Sequence, residues 1–286
     1  MNNLEAGDLA PPQQPGPAQG PLLTEPFRNL AIATQFLSRL PTPALDLGND
    51  AERHEALARS TAYFPLVGAL IGASTGLTIW LAAHLWPLGL AVLLGLSVEA
   101  LVTGAFHEDA VADFCDAFGG GWTRDDVLRI LKDSRIGSFG IVGLGLAFAL
   151  RVGALASLEP SELLAVTMAS GCLGRWAVLP AMWGLPPLAD RAGLSRDVGR
   201  QIPFRRIVLG TLLAIPGCLA MGRLAPGRLG LALLGIVALT FWLVRYVKRR
   251  IGGMSGDCLG FLCYLAQVLV LLAACAHWTP LLGTTP

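Results

Sequence analysis

The chain has 286 residues, 53% of them hydrophobic and only 14% charged, against roughly 25% charged in an ordinary soluble domain. Its formal net charge of +1 gives bulk electrostatics no reason to favour nucleic acid or an acidic partner. Such a composition argues against a plain soluble domain and makes lipid the main solvent. The opening stretch MNNLEAGDLAPPQQPGPAQGPLLTEP holds six of the nineteen prolines. It lacks a basic segment followed by an apolar one, so a disordered tail over 1–26 is expected rather than a secretory signal. LAIATQFLSRLPTP (30–43) is too short to span before its prolines and reads as an interfacial or re-entrant helix. A bilayer crossing takes roughly 20 mostly apolar residues. Seven stretches approach that length: about 62–83, 88–106, 141–158, 162–183, 207–222, 229–247 and 257–278. The fold class expected is therefore all-α, a polytopic integral membrane helix bundle of about seven transmembrane helices, forming one membrane-embedded domain over 27–286.

Charge checks this count independently. Threading the seven spans alternately gathers seventeen of the 21 basic residues on one side: four before residue 62, four in 107–140, five in 184–206 and four in 245–256. The other side keeps Arg223 and Arg228, while Arg151 and Arg175 fall within spans. Cytoplasmic loops near spans are enriched in Lys and Arg, so the amino terminus is expected in the cytoplasm. The six cysteines are scattered, without close CxxC pairs, and read as small apolar packing residues.

The densest charge lies where the second span ends. FHEDAVADFCDAF (106–118) carries four acidic residues. If a helix continues past the span, Asp109, Asp113 and Asp116 fall at i, i+4 and i+7 on one face. Like charges at that spacing repel, so a cation is expected among them, and carboxylate oxygens suit Mg²⁺, Mn²⁺ or Ca²⁺ rather than zinc. Magnesium completes its shell with waters and substrate phosphates, which anticipates a phosphate-bearing ligand. The plainer alternative is a solvated helix end that marks the membrane boundary.

LKDSRIGSFG (131–140) sets Lys132, Asp133 and Arg135 beside Gly137 and Gly140. The basic pair suits phosphate oxygens and Asp133 suits a metal, although a turn between helices also accounts for the glycines. RRIGGMSGDCLGF (249–261) ends with Asp257 at the mouth of the last span, where a helix start directs its positive end at an anion. Asp257 also reads as a helix cap. Arg175, mid-span in SGCLGRWAVLP, costs at least ~2.5 kcal/mol on insertion scales, so it is expected to face a partner or a polar cavity, with Glu99 as candidate counter-ion. Arg151 is expected to snorkel. His107 adjoins the acidic face and is a candidate for proton transfer.

Together these segments resemble the cobalamin synthase family, adenosylcobinamide-GDP ribazoletransferases, integral membrane enzymes of the last step of cobalamin assembly. GAFHEDAVADFCDAF is similar to the family's GGFHLDGLADTxDG, and LKDSRIGSFG to MKDSRxGTxG. FLSRLPTP is similar to FLTRLPxP, YFPLVGALIGA to FPLxGxxxGA, and GGMSGDCLGF to GGxTGDxLGA. The matches run in order from about Phe36 to Phe261. Departures are Ala for Gly at 105, 110 and 117, Phe114 for Thr, Glu108 for Leu, and Tyr264 where relatives often carry Glu. Every matched Asp is kept.

The resemblance implies a transferase that joins the 5′-hydroxyl of α-ribazole to the cobinamide-linked phosphoryl group of adenosylcobinamide-GDP, with α-ribazole 5′-phosphate as the alternative acceptor molecule. The products are adenosylcobalamin, or its 5′-phosphate, and GMP. Such a displacement needs cations to offset diphosphate charge and a hydroxyl held in line. The expected site has Asp109, Asp113 and Asp116 holding Mg²⁺, with Asp133 and Asp257 contributing. Lys132, Arg135 and Arg175 take phosphate oxygens, and a clustered carboxylate or His107 takes the hydroxyl proton. The partners expected are these small molecules and the lipid bilayer, with self-association allowed and no nucleic acid. The location expected is the bacterial cytoplasmic (inner) membrane, active site facing the cytoplasm. Two other readings stay open. A CDP-alcohol-type phosphotransferase also sets acids on helices at the membrane face, but EDAVADFCD lacks its Arg and its spacing. An ion-coupled transporter uses intramembrane charges and broken helices, with sites nearer the midplane.

Overall fold

A computed structural model describes residues 24–45, 47–188 and 202–277. The tail expected over 1–26 lies outside the described residues as far as residue 23, and Glu25 and Pro26 already open the first helix. Twelve α-helices occur among the described residues: α1 Glu25–Leu37, α2 Asp50–Ser60, α3 Phe64–Ala82, α4 Leu88–Thr103, α5 Phe106–Gly120, α6 Arg124–Ile130, α7 Ser138–Ala156, α8 Pro160–Gly184, α9 Phe204–Leu213, α10 Ile215–Leu224, α11 Pro226–Ile251 and α12 Gly256–Ala274. One 3₁₀ turn, Thr61–Tyr63, carries α2 into α3. The strand-like pairing among the described residues is one parallel bridge, Pro187 with Met254.

Five helices are long and apolar enough to cross a bilayer, α2 and α3 counting as one, and the number rises to seven if each of two bent pairs is one span. Each of the seven apolar stretches coincides with one of these. The second span, however, does not run straight into the acidic segment. α4 and α5 meet at 89°, because Gly104 and Ala105 both take left-handed backbone, φ 71° and 56°, which ends a right-handed helix. The acidic segment is a helix of its own. α9 and α10 meet at 44°, at Pro216, whose ring and missing N–H interrupt the hydrogen-bond ladder.

α3 and α8 form a close pair at the centre. Gly68, Gly72 and Gly76 recur every fourth residue on α3, and a Cβ on any of them would run into Gly171 O, Thr167 O or Thr167 Oγ1 of α8. Lipid offers no hydrophobic drive to pair helices, so van der Waals contact between such small-residue faces supplies it. α8 meets α12 on another side, where Ser170 Oγ donates to Gln267 O at 3.2 Å. Outward side chains such as Leu70, Leu77, Leu146, Leu234 and Phe241 are 48–68% exposed. An apolar girdle of that extent suits lipid and not water.

The basic segments meet at one end of the bundle. Arg250 Nη2 donates to Gly121 O at 2.5 Å and Arg124 Nε to Ile251 O at 3.2 Å. Met254 N–H bonds Pro186 O at 2.8 Å, and Arg206 Nη2 reaches Glu55 Oε1 at 2.7 Å. At the opposite end Arg228 pairs with Glu162 at 3.3 Å. Contact between loops far apart in sequence thus reproduces the two-sided grouping that charge alone suggests.

Candidate active site

The left-handed elbow ends α4 and sets the first turn of α5 against α1, α3, α8 and α12. A cavity of about 130 Å³ lies there, walled by Phe36, Leu37, Phe64, Phe106, His107, Asp109, Arg175, Gly256 and Asp257. Phe36 fixes its aromatic side, stacked on Phe64 with centroids 5.5 Å apart and edge-on to Phe106 at 5.6 Å. Phe64 opens α3 and Gly256 opens α12, so the cavity sits at the end where the basic segments gather. A second, wider cavity of about 650 Å³ is lined by Gln35, Ser38, Arg39, the elbow residues Thr103, Gly104 and Ala105, Glu108 and Ile136. Phe36, Phe106 and Asp109 line both.

Arg175 is 1% exposed. Its Nη1 donates to Gly171 O at 3.4 Å, while Nε and Nη2 have no hydrogen-bond partner. A buried guanidinium with open donors on a cavity wall is an anion receptor, since leaving such groups unmet is costly. The counter-ion expected for it, Glu99, is engaged elsewhere: Arg151 Nη2 donates to both Glu99 oxygens, at 3.0 and 2.8 Å, and Thr75 Oγ1 donates at 3.0 Å. Arg151 is therefore buried and does not snorkel. Removing one partner of such a buried pair costs about 3–5 kcal/mol. Glu108 lies 3.8 Å from Arg151, and the guanidinium stands 5.0 Å over the Tyr264 ring. Two departures from the family pattern, Glu108 and Tyr264, thus meet at one cation.

The predicted acidic residues separate. Asp109 lines both cavities. Asp113 is half-buried on α5 and lines neither. Asp116 is buried and accepts the N–H of Gly137 at 2.6 Å and of Gly140 at 2.8 Å, which caps the start of α7. Asp133 pairs with Arg135 at 2.7 Å. Hydrogen bonds from Arg135 hold the Asp133 carboxyl down at about 2, so the pair stays charged at any pH above that and is lost only as pH falls through it. Lys132, Asp133 and Arg135 line neither cavity, and Lys132 and Arg135 are exposed. The cap of α12 is Ser255, whose Oγ accepts from Cys258 N at 3.2 Å. Asp257 is not that cap; it stands in the first turn and lines the smaller cavity.

Among the described residues no three His, Cys, Asp or Glu side chains gather as a metal-holding group. The five-aspartate centre expected from sequence is therefore not assembled. Two carboxylates, Asp109 and Asp257, do share a cavity with Arg175, and two carboxylates plus phosphate oxygens are a donor set that fits Mg²⁺. Cavity residues that reasoning from the acidic segments passes over are Phe36, Phe64 and Arg39, although FLSRLPTP and YFPLVGALIGA carry them in plain view. Phe114, the departure from Thr, stacks on Phe261 at 3.8 Å and Phe118 at 4.2 Å and locks α5 to α12.

The family described as cobalamin-5-phosphate synthase matches residues 29–275. Relatives named adenosylcobinamide-GDP ribazoletransferase include one from Leptothrix cholodnii, 38% identical over 86% of this chain and 93% of its own. Another, from Ralstonia nicotianae, is 35% identical over 90% and 98%. A third, from Bradyrhizobium diazoefficiens, is 37% identical over 88% and 96%. No solved structure matches the chain.

Proposed function

The chain belongs to the cobalamin-5-phosphate synthase family, and on that premise we propose that the cavity under the α4–α5 elbow performs the transfer for which its relatives are named. It is a transferase of the last step of nucleotide-loop assembly, joining α-ribazole, or its 5′-phosphate, to adenosylcobinamide-GDP and releasing GMP. A product named as a 5-phosphate keeps that position phosphorylated. The attacking group on the phosphorylated acceptor is then a ribose ring hydroxyl, and not the 5′-hydroxyl expected from sequence. Its oxygen bonds to the phosphorus carried by cobinamide, and the bond from that phosphorus to the GMP oxygen breaks. The hydroxyl proton passes to His107, which lines the same cavity. Arg175 meets the phosphoryl oxygens with its two open donors, in a dry site where such contacts count most.

Asp109 and Asp257 would hold Mg²⁺, which when bound offsets charge at the diphosphate. Asp113, Asp116 and Asp133 have no part in that smaller set. The membrane is the bacterial inner membrane, with the basic end of the bundle and the cavity at its cytoplasmic face. The cavity that holds Asp109 and Asp257 lies at one end of the bundle rather than midway along it, which favours an enzyme over a transporter.

One observation carries the reading: Phe36, Phe64, His107, Asp109 and Asp257, from four separate family-like stretches, wall one cavity with the open guanidinium of Arg175. The test is GMP release from adenosylcobinamide-GDP and acceptor by the purified protein in detergent. Wild type is expected to turn over. Arg175→Met is expected to lose activity at least ~100-fold without losing stability, because the buried charge has no ion pair to break. Activity retained in that variant would exclude Arg175 from the site.

A further inference from the structure

The wider cavity holds a cation that this reaction leaves unused. Arg39 follows α1, its backbone N–H bonded to Val102 O at 2.7 Å across the elbow. Its guanidinium lies beside Gly104, where a Cβ would run into Nε, Cζ and Nη2. Glycine at 104 suits its φ of 71°, and a Cβ there would displace the arginine side chain. No hydrogen-bond or ion-pair partner of the Arg39 side chain occurs among the described residues. Arg39 is exposed on the cavity wall, and its guanidinium donors stay available for an oxyanion.

The two cavities divide along chemical lines. Each ends on Asp109 and each has one arginine, Arg175 in the cavity of about 130 Å³ and Arg39 in that of about 650 Å³. Small-molecule sites run about 300–1,000 Å³, so the wider cavity accommodates a nucleoside and the smaller one little more than phosphoryl oxygens. A phosphorylated acceptor adds a second anion to the reaction, away from the transferred phosphoryl, and a second anion calls for a second cation.

We propose that the wider cavity receives the acceptor and that Arg39 binds its terminal phosphate monoester, setting a preference for phosphorylated over unphosphorylated α-ribazole. The assignment rests on the ribazoletransferase reading above.

The experiment measures kcat/KM of the full-length protein in detergent with adenosylcobinamide-GDP and either α-ribazole or α-ribazole 5′-phosphate, for wild type, Arg39→Gln and Arg39→Lys. The ratio of the two values, phosphorylated over unphosphorylated, is expected to fall at least ~10-fold in Arg39→Gln and less in Arg39→Lys. A ratio unchanged in Arg39→Gln overturns the proposal. So does a raised KM for adenosylcobinamide-GDP at constant ratio, since it would give the phosphate to the donor. Wild type that releases no GMP with either acceptor strikes the reaction itself. In that case calorimetric binding of α-ribazole 5′-phosphate still reads the residue, and equal affinity in wild type and Arg39→Gln overturns its role.

Discussion

Ala105 is the single positive-φ residue other than glycine among the described residues, at 56°. A side chain in that region costs about 1–2 kcal/mol, so the elbow is held by packing against a local preference. Ala105→Gly is expected to raise the unfolding free energy by about 1 kcal/mol, after the flexibility that glycine adds to the unfolded chain. A rise in thermal midpoint in detergent checks this, and a fall would show that the turn carries no strain. At this scale the departures were legible and their geometry was not: an Ala where relatives have Gly is plain in the sequence, but the sign of its φ is set by how two helices are pinned. Asp116 shows the same limit. Helical spacing puts it on the face of Asp109, yet nothing in the spacing reveals the Gly137 and Gly140 N–H groups that take up its carboxylate. Asp109 and Asp257 were legible as candidates because each borders an apolar run, Asp109 just after one in an acidic stretch and Asp257 just before one after a Gly-rich break.

Among the helices, α3 and α8 depend on backbone contact. Gly72→Ala would press a methyl group into Thr167 O and is expected to cost about 1–3 kcal/mol. Gly145→Ala on α7 meets nothing within 4 Å and is expected to gain about 0.5–1 kcal/mol from helix propensity. Unfolding of the two variants in mixed micelles should therefore shift in opposite directions; shifts of the same sign would deny the close pair. All seven apolar stretches could be read from hydropathy, because crossing lipid demands about 20 such residues wherever they stand. The bends could not be read with equal ease. Pro216 is a visible breaker, whereas the 89° turn at Gly104 and Ala105 hides in two small residues that suit a straight helix in lipid just as well.

For the whole molecule, the grouping of basic loops at one end sets the expected orientation. Reporter fusions truncated after Ala225 are expected to be active outside the cytoplasm and those after Gly253 inside it; the reverse pattern would invert the proposed placement of the site. That the basic segments share one end of the bundle was legible from charge because the bias is spread over four loops. The assembly of the site was legible only in part, since which aspartates share a cavity depends on how the elbow turns α5. The account stands on Asp109 serving chemistry while Asp116 serves the start of α7, and one paired measurement separates them: GMP release and thermal unfolding of Asp109→Asn and Asp116→Ala side by side. Asp109→Asn is expected to lose turnover at least ~100-fold with its unfolding midpoint kept, and Asp116→Ala to lose about 1–3 kcal/mol of stability while turning over at low temperature. Turnover intact in Asp109→Asn, or abolished in an Asp116→Ala protein that is still folded, would contradict it.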